Sequence, residues 1–254
     1  MTTAADHYDQ LLAEHYTWMS GGDLDATVAT QADLLRRLGL QVVGDGPSVA
    51  VDLGCGPGPQ TLGLLRLGYT SVTAVDTSAA LLNELRDHAG RHAVGHSIRT
   101  VQADLRDALP RLVDPGTVTT VVCMGDTLPH LPNRADVQQL ITDVAGALHL
   151  GGSFVVTYRD LTEERRGLDR FVPVRETDDR ILTCFLDYIN ESTVMVHDLL
   201  HTRHAGAWHL TTGCYPKLRL PQQWLIDQCH RAGLAVRHCE TTSSGLNVLH
   251  AVRD

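Results

Sequence analysis

The sequence predicts an α/β protein built on a doubly wound, mostly parallel sheet, and three observations carry that prediction. Short apolar runs at 48–52, 71–75, 98–102, 118–123 and 153–157 recur along the chain, with helix-length segments such as 79–89 and 134–148 between several of them. The first run ends in an acid and a glycine-rich turn, Asp52-Leu53-Gly54-Cys55-Gly56-Pro57-Gly58, as expected where a buried parallel strand feeds a helix. After residue 159 the alternation stops and β-prone stretches follow one another without helix-length spacers, so an antiparallel insertion is expected there.

The elements follow in order. Residues 6–40 are helical by periodicity, with Leu11, Leu12, His15 and Tyr16, then Val28, Ala32, Leu35 and Leu38 at intervals of three, four or seven, and Gly21-Gly22 divides them into two helices. A helix starts near Gly58 and runs to about Leu67. The insertion comprises three stretches, 181–189, 193–200 and 207–215, beside or over the sheet. A last helix at 221–232 precedes strands at 234–240 and 246–252, whose short link allows only a hairpin, so an antiparallel pair closes one sheet edge. The resulting division is an N-terminal helical cap (1–46), a sheet core (47–160), an antiparallel β insertion or lid (161–217), and a C-terminal helix and hairpin completing the sheet (218–254).

Composition narrows the function. The 254 residues are 43% hydrophobic, enough for one large domain. The 21 Lys+Arg and 30 Asp+Glu leave a net charge of -9, with no basic cluster to hold a nucleic acid backbone. No apolar stretch reaches the length of a membrane span, and the first residues lack a cationic region followed by an apolar one, so a cytoplasmic address is expected. Six cysteines (Cys55, Cys123, Cys184, Cys214, Cys229, Cys239) form no Cys-x-x-Cys pair and read as reduced thiols.

The turn after the first strand is the most informative segment. Glycines at alternate positions let backbone approach a ligand closely, and acids end or follow three successive strands: Asp52, Asp76 and Asp104. A dinucleotide-binding turn would be Gly-x-Gly-x-x-Gly, whereas here the third glycine comes one position early. Asp76, ending the second strand, suits a ribose diol in either family, while Asp52 would oppose a pyrophosphate but suits a cationic ligand such as an amino acid ammonium.

VDLGCGPG (51–58), AVDTS (74–78), QADL (102–105) and VVCMGD (121–126), in this order and spacing, resemble the nucleotide-binding half of class I S-adenosylmethionine-dependent methyltransferases. The resemblance covers about residues 48–160 and implies a Rossmann-like, seven-stranded sheet with one antiparallel strand near its edge. It implies that Asp52, Gly54, Cys55, Gly56 and Gly58 surround the methionine portion, and that Asp76 and Thr77 serve the ribose. Asp104 would accept from the adenine amino group, Ala103 and Leu105 would border the ring, and Met124 and Gly125 would offer backbone near the sulfonium.

The tips of the fourth and fifth strands, Gly125 to Leu131 and Tyr158-Arg159-Asp160, point at the acceptor side of such a cleft. They resemble the glycine and sarcosine N-methyltransferase branch, where the position of Arg159 serves a substrate carboxylate and a pair like Tyr215-Pro216 lines the pocket. Where that branch has Asn, this chain has Asp126, which would repel a second carboxylate and suits an amine or hydroxyl donor or the role of proton acceptor. His130, with an ordinary pKa of about 6.5, is a further candidate base. Tyr8 and Tyr16 share a helix face as candidate substrate contacts, with Trp18 in the same region. His197, His201, His204 and His209 do not converge by strand parity, so no metal site is expected. The expected function is methyl transfer from S-adenosylmethionine to a nitrogen or oxygen of a small-molecule metabolite, without nucleic acid or membrane partners, and with a homo-oligomer left open. The competing readings are an NAD(P)-dependent oxidoreductase on a related sheet and a non-catalytic S-adenosylmethionine-binding protein.

Overall fold

The computed structural model describes residues 3–44 and 46–254, and their strands fall into one sheet of seven and one of four. The chain begins with α1 (Ala4–His7), a π-helical turn (Tyr8–Leu12), a 3-10 turn (Ala13–His15), α2 (Tyr16–Met19) and α3 (Leu24–Arg37). The core follows as β1 (Val49–Leu53), α4 (Pro59–Arg66), β2 (Ser71–Asp76), α5 (Ala79–Arg91), β3 (Ile98–Gln102), α6 (Leu105–Leu112), β4 (Val118–Cys123), α7 (Arg134–Ala147) and β5 (Leu148–Tyr158). The second sheet is β6 (Phe171–Glu176), β7 (Arg180–Asn190), β8 (Thr193–His204) and β9 (Ala207–Leu218), after which α8 (Gln222–Arg231), β10 (Leu234–Thr241) and β11 (Asn247–Arg253) return to the first.

The large sheet has the order β10-β11-β5-β4-β1-β2-β3. Its β1–β2, β2–β3, β1–β4 and β4–β5 pairs are parallel, and only β11 runs against its neighbours β5 and β10. From β1 the chain winds outward through β2 and β3, then returns to β4 and winds the other way. The β1–β4 boundary is therefore the topological switch point, where the carboxyl ends of the strands leave a crevice. Val51, Leu53, Val121 and Cys123 are fully or almost fully buried, because helices cover both faces of these parallel strands. Each buried leucine of this layer contributes about 1.5–3 kcal/mol relative to exposure.

Three elements depart from the sequence reading. The helix α6 carries Pro110, a helix breaker that hides its periodicity, yet Asp104 caps it by accepting from the Arg106 N–H at 2.9 Å. The insertion has four strands rather than three, since β6 contains Pro173 and lies on an edge with mostly exposed side chains. The strand β5 starts at Leu148, well before residue 153, with a left-handed Gly151 near its start.

Along β8, Val194, Val196, Asp198 and Leu200 are buried while the residues between them are half-buried, the period-2 pattern of a sheet covered on one face. That cover is the N-terminal segment: Leu11, Leu12 and Trp18 pack with Leu182, Leu186, Val194, Val196 and Tyr215. The expected cap is thus also the apolar partner of the insertion. Buried His7 locks the two together, its Nε2 lying 2.8 Å from Asp198 Oδ2 and its ring stacked on Tyr215 at 4.7 Å. All six cysteines are free thiols. No helix among the described residues is long and apolar enough to cross a membrane.

Candidate active site

A cavity of about 320 Å³ opens at the carboxyl ends of β1, β2, β3 and β4, beneath the N-terminal segment. Its wall runs from Asp104, Leu105 and Arg106 through Asp76, Thr77 and Leu81 to Gly54 and Gly56, and on to Tyr8, Tyr16, Gly125, Thr127 and His130.

The glycine turn is built by close approach. Gly54 has φ +73°, and a Cβ there would collide with Thr127; Gly58, at φ +91°, would collide with Leu85 of α5. The Thr127 hydroxyl lies 2.9 Å from the Met124 carbonyl of its own loop and 3.5 Å from the Gly54 carbonyl, which sets the loop after β4 against the turn after β1. Asp76 holds the other side, accepting from the Gly56 N–H at 2.8 Å and the Ser78 N–H at 2.9 Å. Burial raises its carboxyl above the ordinary range, moderated by these bonds.

Asp52 is almost completely buried at the end of β1. One of its oxygens accepts from the Thr61 hydroxyl at 2.6 Å, and the other is buried with no partner among the described residues. Burial, with Asp76 adding to it, pushes this carboxyl up to about 7 against the Thr61 hydrogen bond. An orphaned carboxylate oxygen beneath a glycine cradle is suited to a positively charged group, and S-adenosylmethionine carries an ammonium on its methionine portion. At the opposite end, Asp104 pairs with Arg106 at 2.7 Å, and Arg106 hydrogen bonds hold its carboxyl below the ordinary range. Asp104 therefore both caps α6 and lines the cavity.

The loop after β4 contains two left-handed residues, Gly125 (φ +74°) and Asp126 (φ +72°). For Asp126, this backbone costs on the order of 1–3 kcal/mol, and its bonds hold it there. Its N–H donates to the Thr157 carbonyl at 3.0 Å, its Oδ1 accepts from the Arg159 N–H at 2.8 Å, and its Oδ2 takes the Lys217 ammonium at 2.5 Å. Burial alone would raise the Asp126 carboxyl, but Lys217, His130 and the Arg159 N–H outweigh it and keep it below the ordinary range. Both oxygens are thus committed, and the side chain is an ion pair with Lys217 rather than a free proton acceptor.

His130 lines the cavity between Tyr8 and Tyr215, each ring 5.4 Å away and edge-on, and its Nε2 is buried with no partner among the described residues. Burial, reinforced by the Lys217 cation, pushes its pKa down to about 3, so it is a neutral imidazole at physiological pH. Tyr8 and Tyr16 meet at 6.1 Å across the irregular π and 3-10 turns, and burial raises both phenols.

The structure thus brings Gly54, Gly56, Asp76, Thr77, Asp104, Leu105, Gly125, His130, Tyr8 and Tyr16 to one cavity, with Asp52, Cys55 and Gly58 buried around it. Ala103 donates its N–H to the Asp76 carbonyl and Met124 is buried, so both support the wall rather than form it. Tyr215 stands behind His130 and Tyr8. Arg159 points outward with its side chain 46% exposed, 3.8 Å from Asp126. Sequence reasoning missed Lys217, Thr127, Thr61 and Arg106. Lys217 was signalled only by its place two residues after Tyr215.

The sequence pattern of a methyltransferase domain family matches residues 50–152, the stretch that supplies the glycine turn and the acids of the cavity. A glycine/sarcosine N-methyltransferase from Halorhodospira halochloris is 26% identical over 157 residues, 61% of this chain and 56% of that protein. The chain spans about half the length of the curated relatives it matches. Among solved structures, an S-adenosylmethionine-dependent methyltransferase from Clostridium acetobutylicum superposes with a TM-score of 0.71 at 13% identity, over 98% of this chain and 96% of that one. An amino pentose methyltransferase from Micromonospora echinaspora, with S-adenosylmethionine bound, superposes with a TM-score of 0.68 at 17% identity, over 95% and 96% of the two chains. Residues 50–152 thus carry the pattern of a methyltransferase domain, and the chain as a whole has the fold of S-adenosylmethionine-dependent methyltransferases of known structure.

Proposed function

We propose that the protein transfers the methyl group of S-adenosylmethionine to a small-molecule acceptor, and that the acceptor atom is an uncharged amine nitrogen. One observation carries the reading. The glycine cradle, with the orphaned Asp52 oxygen buried behind it, faces across the cavity to Tyr8, Tyr16, Gly125, Thr127 and His130, a stretch of wall that presents no ionised side chain. The Halorhodospira relative acts on nitrogen by its name, and a solved neighbour from Streptoalloteichus is described as a sugar N-methyltransferase, which favours nitrogen over oxygen.

When bound, S-adenosylmethionine supplies an electrophilic methyl group on a sulfonium. Asp52 would hold its ammonium, Asp76 its ribose hydroxyls, and Leu105 its purine face, with Asp104 at the edge. The chain's own contribution is position and dryness. An amine must shed its proton before it can act as a nucleophile, and a neutral aromatic wall favours the shed form by withholding solvation from the ammonium. His130, neutral because it is buried beside Lys217, offers a hydrogen bond to the acceptor and does not store a proton near pH 7. Asp126 and Lys217 neutralise each other and fix the Gly125 turn, so they act as positioning residues.

The test is calorimetry with S-adenosylhomocysteine, followed by mass-spectrometric turnover of three acceptor groups: amines lacking a carboxylate, amino acids and phenols. Micromolar binding with turnover confined to the first group is the expected result. Turnover of glycine or a phenol instead would overturn the acceptor assignment. Binding without any turnover would favour a non-catalytic carrier, and stabilisation by NAD in place of S-adenosylhomocysteine would move the protein to the oxidoreductases.

A further inference from the structure

We propose that Asp25, His88 and His92 form a zinc-class metal site that ties the N-terminal helices to α5. Asp25 lies in the first turn of α3, while His88 is in the last turn of α5 and His92 caps its C-terminus, their rings 4.7 Å apart. Their ligand atoms all lie within 4.8 Å of one another. Asp25 Oδ1 is 3.3 Å from His88 Nε2 and 3.2 Å from His92 Nε2. Two ligands on a tetrahedral ion with bonds of about 2.0–2.1 Å stand about 3.3–3.4 Å apart, so both separations already match such a centre.

The donor set is two imidazoles and one carboxylate, the N/O combination that suits zinc and leaves a fourth position for water. Arg66 Nη2 also approaches the same Asp25 oxygen, at 3.3 Å. A carboxylate oxygen accepts about two hydrogen bonds. Three groups compete for this one, whereas a bound ion would take one lone pair from the carboxylate and one from each imidazole. His88 is buried, which fixes its ring, while Asp25 and His92 are half-exposed and leave the ion an entry path.

Two cations work against the site. Arg66 competes for Asp25, and Arg91 Nη2 donates to His88 Nδ1 at 2.8 Å, holding the proton on Nε2, where the metal would bind. Both arginines are exposed or half-exposed and can swing away. The position gives the ion a structural role. One turn earlier, Glu84 accepts from the Thr17 hydroxyl of the N-terminal segment, and Leu85 packs under Gly58 of the glycine turn. An ion here would brace the same junction.

The experiment is zinc titration by calorimetry on the full chain after chelator treatment, with melting temperature measured in parallel. The wild-type protein is compared with D25N, H92Q and R91A, all at half-exposed or exposed positions where folding is not at stake. D25N and H92Q should each weaken zinc binding at least tenfold, R91A should tighten it several-fold, and the zinc-dependent rise in melting temperature should vanish in D25N. If either D25N or H92Q binds zinc as the wild type does, the ion belongs to other side chains and the assignment is wrong. The same conclusion follows if the wild type binds none.

Discussion

Asp52→Asn tests the cofactor end of the cavity, because it removes a charge that the free protein holds at a cost. The carboxyl is almost fully buried, one oxygen bonded to Thr61 and the other unpartnered, and its pKa stands at about 7 against an ordinary 3.8. That difference corresponds to about 4 kcal/mol between the charged and neutral forms. The sign is fixed by linkage. Between about pH 4 and pH 7 the folded state keeps a proton that the unfolded state has lost, so stability falls as pH rises through this window, and the loss is complete above 7. Asparagine keeps an oxygen for Thr61 without the charge. D52N should therefore be the more stable protein at pH 8, by up to about 4 kcal/mol in urea unfolding, and should match the wild type below pH 4. Ligand binding should move the other way. With a pKa of about 7, roughly a tenth of Asp52 is ionised at pH 6 and nine-tenths at pH 8, so a ligand ammonium that needs the carboxylate should bind about tenfold more tightly at pH 8. Calorimetry with S-adenosylhomocysteine at the two pH values measures this, and D52N, weaker at both, subtracts whatever the ligand itself contributes. Equal affinity at pH 6 and pH 8 in the wild type, or an identical pH slope in D52N, would refute the pairing of Asp52 with the ammonium.

Other positions give separate tests. Lys217→Met strands the Asp126 carboxylate in a buried site and should cost about 3 kcal/mol in urea unfolding at pH 7, with much of it regained in the D126N/K217M double variant; additive effects would show that the pair is uncoupled. Because the Asp126 carboxyl is held below its ordinary value, the contribution of this pair is present above about pH 4 and lost as pH falls through the folded value, so wild type and K217M should converge in acid. His130→Gln should lower kcat/KM about tenfold, the worth of one hydrogen bond, without moving any inflection of the pH–rate profile; loss of an inflection between pH 6 and 8 would make His130 a base after all. Gly54→Ala drives a methyl into Thr127 and should weaken S-adenosylhomocysteine binding more than tenfold while circular dichroism stays native; unchanged affinity would show that the turn does not form the binding wall.

How much of this was readable depends on whether a feature is local in sequence. The glycine turn and its flanking acids were legible because a strand, its terminal acid and the following turn are contiguous, so Asp52, Gly54, Gly56 and Asp76 could be placed at the strand ends without knowing any long-range contact. The charge state of Asp126 was not, since its counter-ion lies 91 residues away on β9, and a lone lysine on a strand reads as a solvated side chain. Its left-handed backbone was also hidden, because a non-glycine residue gives no warning of it. The spacing of His88 and His92 is a helical repeat, but it acquires meaning only through Asp25, 63 residues before His88. The four-stranded insertion was undercounted because the proline of β6 is compatible only with an edge, and an edge is a tertiary property.

The placement of Lys217 separates the charge balance at Asp126 from the glycine turn. On β9, Tyr215 and Lys217 are two residues apart and face the same side, Tyr215 opposite Val196 and Lys217 opposite Val194. That side is the one covered by the N-terminal segment. A slip of one residue in the β8–β9 register would turn both away, presenting Pro216 and Leu218 in their place and leaving Asp126 without its cation. Val194 and Val196 are buried on the same face, so the slip would also expose the apolar cover, and the register that packs the insertion is the register that neutralises Asp126. The charge balance at the acceptor end is therefore set by the insertion and the N-terminal helices. The glycine turn and its acids are set by the parallel sheet and meet that assembly through Tyr16, which packs against Gly56 and Gly125. Changes in residues 161–217 therefore act first on Tyr215 and Lys217, which back His130 and pair with Asp126, and leave the strand ends that carry the glycine turn and its acids in place.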